Sequence, residues 1–128
     1  EGEYVYVQAA SSVAQYDAVA ISRTYTVASL TTTTAGSNTL QIGIAQAALA
    51  TNEYGWVWIG GAMGGGTGKG VKANVSAAVS AGANLNTTAT AGSVSSTSTT
   101  LIKNLAAAGT TSGSGSVEVL STGYLSVN

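Results

Sequence analysis

The groups able to do chemistry in this chain are few. Its 128 residues hold one aspartate (Asp17), four glutamates (Glu1, Glu3, Glu53, Glu118), three lysines (Lys69, Lys72, Lys103) and Arg23, with no histidine and no cysteine. Without His and Cys the commonest general base, the commonest soft nucleophile and the usual transition-metal ligands are all missing. Glycoside hydrolysis needs two carboxyls flanking one bond, and nothing in the spacing of Glu53 and Glu118 brings them together. A serine nucleophile would have to rely on lysine, yet no Ser-x-x-Lys occurs. No Asp-x-Asp run offers a calcium loop. The sequence is therefore expected to carry no catalytic, cofactor-binding or metal-ligating residue, and to be no enzyme.

The stretch "NEYGWVWIGGAMGGGTGKG" (residues 52–70) is the one segment that resembles a phosphate loop. A Walker-type loop ends in Gly-Lys-Ser or Gly-Lys-Thr, but here Gly68-Lys69 is followed by Gly70, and the glycine expected five residues before Gly68 is Met63. The dinucleotide pattern fails at Lys69. The run is read as a loop that trails a strand.

Charge excludes further classes. Four cations spread over the chain, against five anions, give a net charge of −1. They cannot build the basic patch that nucleic acid requires, nor a polybasic membrane patch. No apolar run reaches the roughly 20 residues that span a bilayer. The amino terminus does not read as a signal peptide. Only 7% of residues are charged, against about 25% in ordinary soluble domains. With no proline and three lysines, the chain lacks the usual protection of sheet edges, so its edges are expected to be covered by neighbouring copies.

The elements that must carry these residues read as short strands. Period-two alternation bounded by Gly, Asn, Ser and Thr marks "EYVYVQA", "DAVAIS", "RTYTVASL", Leu40 to Ala45, "EYGWVWIGG", "GVKANVSA", a pair around Gly92, "TLIKNLAAAG" and two strands in "SGSGSVEVLSTGYLSVN". "TTTTAGSN" reads as a loop, and Gly43 as a bulge or close backbone approach. The fold class is all-β: a small single-domain β-barrel or sandwich of short antiparallel strands over residues 1–128, with at most one short helix and with an extended terminal arm as an option. No clear internal repeat is visible. Two sequons, Asn74-Val-Ser76 and Asn86-Thr-Thr88, are matches that a Ser/Thr-rich chain produces by chance.

The aromatic stripe has two readings. Tyr54, Trp56 and Trp58 share one face of a strand, and Val57 and Ile59 share the other. Aromatics on a central strand usually pack inward; Tyr and Trp are also enriched at interfaces. Tyr4 and Tyr6 alternate in the same way near the amino terminus. Val5 and Val7, or Leu125 and Val127 at the other end, could form an arm that adds a strand to a neighbour. Interface candidates are thus Tyr4, Tyr6, Tyr54, Trp56, Trp58, Leu125 and Val127.

The segments "YVYVQAASSVAQYDAVAI", "IGIAQAALATNEYGWVWIGG" and "VKANVSAAVSAGANLNTTATAGSVS", in this order, resemble the small head-decoration (capsid-cement) proteins of tailed bacteriophages. The resemblance runs from about Glu3 to the closing "VEVLSTGYLSVN" and implies a compact β-rich protein without catalytic residues. It further implies a homotrimer that binds the major capsid protein on the outer surface of the virion and clamps neighbouring subunits. The alternative class is a self-assembling extracellular fibre or surface-layer subunit joined by strand exchange. A sugar-binding module would rest on the Trp56/Trp58 stripe alone.

Overall fold

The computed structural model describes residues 2–32, 41–61, 64–97 and 100–127. Glu1, Leu40, Met63 and most of the "TTTTAGSN" loop lie outside the described residues. The chain is all-β. Its strands are β1 (Glu3–Ala9), β2 (Ala18–Ile21), β3 (Thr26–Ser29), β4 (Gln41–Ala45), β5 (Tyr54–Gly60), β6 (Lys72–Val75), β7 (Asn84–Thr87), β8 (Val94–Ser95), β9 (Leu101–Ala107) and β10 (Gly115–Ser126). The closing segment, read as two strands, is one 12-residue strand whose register with β9 shifts between Ser121 and Ser126.

Two rings of five strands account for the pairing. β1–β3–β2–β4–β5 returns to β1, and β6–β8–β7–β9–β10 returns to β6, with β5 and β10 joined at Gly60 and Tyr124. Closure removes free edges, so edge protection lies within the chain and needs no lysine, proline or neighbour. It also accounts for a departure from the all-antiparallel expectation. Around a ring each antiparallel pairing reverses strand direction, so five strands cannot close without a parallel pair. That pair is β1–β3 in the first ring and β6–β8 in the second.

The rings are structural repeats, element for element. β2–β3, β2–β4, β4–β5 and β1–β5 pair antiparallel, as do β7–β8, β7–β9, β9–β10 and β6–β10. The isolated bridge Val13–Leu49 returns as Val79–Thr111. The Tyr16 N–H donates to the Ala45 carbonyl at 2.7 Å, and the Gly82 N–H to the Ala107 carbonyl at 2.8 Å. Both donors have positive φ, 69° and 87°. The internal repeat, not visible in the sequence, is thus explicit in the topology.

Alternation along each strand divides the core. Val19, Ile21, Val57 and Ile59 point into the first ring. Ala18, Ile42, Ile44 and Trp58 point out of it and join the interior of the second ring in a single cluster with Leu85, Ile102 and Leu125. Trp58 is fully buried at this contact; covering a ring of its size contributes about 4–6 kcal/mol. Gly43 is the close approach read from the sequence: a Cβ there would lie 3.2 Å from the Trp58 carbonyl oxygen and from Val57 Cγ2.

Candidate docking surface

β1 and β5 lie side by side with Tyr6 opposite Trp56, Gln8 opposite Tyr54 and Tyr4 opposite Trp58. Alternation puts all these side chains on the outer face of the first ring. Tyr6, Tyr54 and Trp56 are 52%, 60% and 59% exposed, and Tyr4 39%. Tyr6 stacks on Tyr54 (centroids 5.8 Å apart, planes 14°) and tilts against Trp56 (5.1 Å, 58°). Four half-exposed rings present about 400 Å² of mostly apolar surface, the size of the largest patch on a typical monomer and often a functional one.

The second ring supplies an internal control. Its register places Lys72 opposite Glu118 and Asn74 opposite Ser116, at the positions of Tyr6/Trp56 and Gln8/Tyr54. The barrel therefore forms with polar residues on this face, and the aromatic strip of the first ring is an addition to the fold.

The other interface candidates are placed inside the chain. Trp58 shares the face of Tyr54 and Trp56 but is covered by the second ring, so the stripe is split between core and surface. Leu125 is fully buried and Val127 packs against the same cluster. Val7 is buried within the first ring and Val5 packs against it. Neither end described here is a free arm, because β1 is a wall of one ring and β10 a wall of the other.

Polar groups are committed to holding loops. Asp17 accepts from Asn74 Nδ2 at 2.9 Å and from the Ala14 N–H at 3.1 Å. Glu53 caps the Ala50 N–H at 2.6 Å. Glu3 accepts from the Tyr124 hydroxyl at 2.8 Å; that bond first, then burial and the Glu3 charge, raises the Tyr124 pKa above its usual value. Glu118 Oε2 accepts from the Gly68 and Gly70 N–H groups at 2.9 and 3.4 Å. The glycine run thus wraps the chain's own carboxylate, with Gly68 and Gly70 both at positive φ. Among the described residues no buried side-chain nitrogen or oxygen lacks a partner, and no three His, Cys, Asp or Glu residues gather as a metal set.

One feature of the second ring was missed in the sequence. Asn84, Asn104, Leu105, Ala106, Leu120 and Thr122 line an open depression of about 250 Å³. It occupies the position that Ala18, Ile42, Ile44 and Trp58 hold in the first ring. Nothing in the local sequence marks it; only the repeat does.

No family model matches the chain, and no curated protein matches it. Among solved structures it is similar to the crystal structure of the N base of head fiber gp8.5 of bacteriophage phi29, with a TM-score of 0.63 over 96% of this chain and 97% of that one, at 16% identity. At that identity the likeness is one of fold.

Proposed function

We propose that the chain is a non-enzymatic structural protein of a phage virion, which decorates the outer surface of the head and stabilises it by clamping neighbouring subunits of the major capsid protein. The observation that carries this reading is the likeness to a head-fiber base over 96% of the chain. The surface supports it. Asp17, Glu53 and Glu118 hold loops, and an aromatic strip suited to protein contact is exposed. Copies are joined as a homotrimer in this reading, and the protein engages neither nucleic acid nor membrane.

Co-sedimentation tests it. The purified chain, mixed with empty shells assembled from the major capsid protein of the same phage, pellets with them and saturates at a fixed ratio. A folded chain that stays in the supernatant at every shell concentration contradicts the reading. Long filaments in electron micrographs of that supernatant would favour the extracellular fibre class instead.

A further inference from the structure

The two rings touch through unlike faces. The first ring offers the Gln15–Ala18 turn and the outer sides of β2, β4 and β5; the second offers the outer side of β6, the Gly92 turn and the Gly123–Leu125 end of β10. The Asn74 N–H donates to the Tyr16 carbonyl and the Ala18 N–H to the Gly92 carbonyl, at 2.9 and 2.8 Å. Gln46 bonds both the N–H and the carbonyl of Lys72, and the Lys72 ammonium lies 5.9 Å from the centre of the Tyr16 ring.

Because the rings repeat, each also carries part of the other's contact face. The second ring's version of the first face is the Asn84–Leu120 depression, with Ala83 at the position of Asp17. The first ring's version of the second face is Tyr6, Gln8 and Tyr25, at the positions of Lys72, Asn74 and Gly92, flanked by Tyr54 and Trp56. Within one chain these two faces have no ring against them. We infer that they meet between chains: the aromatic strip of one molecule docks on the Asn84–Leu120 depression of a second copy, continuing the ring-to-ring contact from molecule to molecule.

Three observations select a second copy as the occupant. The contact extends an interface that already exists inside the chain. Neither face carries a charged side chain, so like molecules approach without repulsion. The rings supply area while Asn84 and Asn104 amides can meet tyrosine hydroxyls. One local difference accounts for the change of residues. In the second ring the first inserts between Asn74 and Gly92, whereas in the first ring the Gln8 N–H closes that gap onto the Tyr25 carbonyl at 3.0 Å. A partner there must pack on top of side chains, and large rings fill that role better than Lys72 and Gly92 would. The strip offers about half of the roughly 800 Å² per partner of a standard interface, so a single contact is weak. Unlike faces make the contact head-to-tail.

The absence of cysteine makes the test clean. Gln8→Cys and Ala83→Cys chains carry thiols at the positions of Asn74 and Asp17, which touch within the chain at 2.9 Å. Mixed and treated with a short bis-maleimide, they yield a covalently linked dimer, while each alone gives only background. Dimers from Gln8→Cys alone would show that aromatic strips meet each other, and an unlinked mixture would show that the faces do not meet; either result overturns the inference. Tyr6→Lys with Trp56→Glu installs the second ring's own pair, keeps the parent circular dichroism and lowers self-association at least tenfold in sedimentation equilibrium. Unchanged association by that folded variant also overturns it. Both assays omit shells, so they fail or succeed separately from the capsid reading.

Discussion

Tyr6 and Trp56 face one another across β1 and β5 with their ring centres 5.1 Å apart, and the residues at the same two positions of the second ring are Lys72 and Glu118. The same barrel position is thus built once as an aromatic pair and once as a charged one. Trp56 and Trp58, two residues apart on one face, differ even more: one is 59% exposed and the other fully buried.

That difference predicts unequal costs. Trp58→Ala should lower stability by about 3–5 kcal/mol, because it empties the seam between the rings. Trp56→Ala should cost about 1 kcal/mol, the worth of an exposed aromatic pair. Urea denaturation of the two variants measures both; equal midpoints would contradict the placement of Trp58.

Asp17 and Gly92 form a coupled pair at the same seam. A Cβ on Gly92 would lie 2.4 Å from Asp17 Cγ, at φ +80°. Gly92→Ala should destabilise by at least about 1 kcal/mol, and Asp17→Ala by about 1 kcal/mol through the lost bonds from Asn74 and Ala14, Asn74 keeping its bond to the Gln15 carbonyl. Because truncating Asp17 relieves the clash, the double variant should cost less than the sum. Strict additivity in a double-mutant cycle would contradict the contact.

Gly68 and Gly70, at the end of the glycine run, donate to a single carboxylate. Glu118→Gln should leave the fold intact and speed amide exchange at Gly68 and Gly70 about tenfold, as charge-assisted bonds become neutral ones. Exchange rates by nuclear magnetic resonance decide this, and unaltered protection at both glycines would contradict the wrap.

Tyr124 gives a pH signature. Its pKa is raised in the folded chain by the bond to Glu3, so the neutral phenol is the form that folding favours. The stabilisation is complete below the ordinary tyrosine pKa of 10.0 and is lost as pH rises through the higher folded value. Ultraviolet titration should show one late-ionising tyrosine that disappears in Tyr124→Phe. A titration unchanged by that substitution would contradict the bond.

The sequence exposed the strands because alternation is a local signal: "EYVYVQA" and β1 coincide at Glu3–Ala9, and the turn at Gly92 falls between β7 and β8 as expected. The repeat escaped because only inward positions keep their character. Val13 and Val79, Val19 and Leu85, Val57 and Val119 correspond, while outward positions diverge as Tyr6 to Lys72, Asp17 to Ala83 and Trp58 to Leu120. Small apolar residues at period two are common to any strand, so they do not mark a duplication. The aromatic stripe was visible, but its division was not: burial of Trp58 depends on where the second ring lands, a contact distant in sequence. The terminal residues misled for a similar reason. Val7 and Leu125 look like the ends of free strands until ring closure gives β1 and β10 partners on both sides.

The most direct measurement of the central proposal is electron cryomicroscopy of shells saturated with the protein. Ordered density for both rings is expected on the outer surface, bridging neighbouring capsid subunits and absent from shells prepared without the protein. Saturated shells whose outer surface matches that of bare ones, with the protein folded in solution, would contradict it.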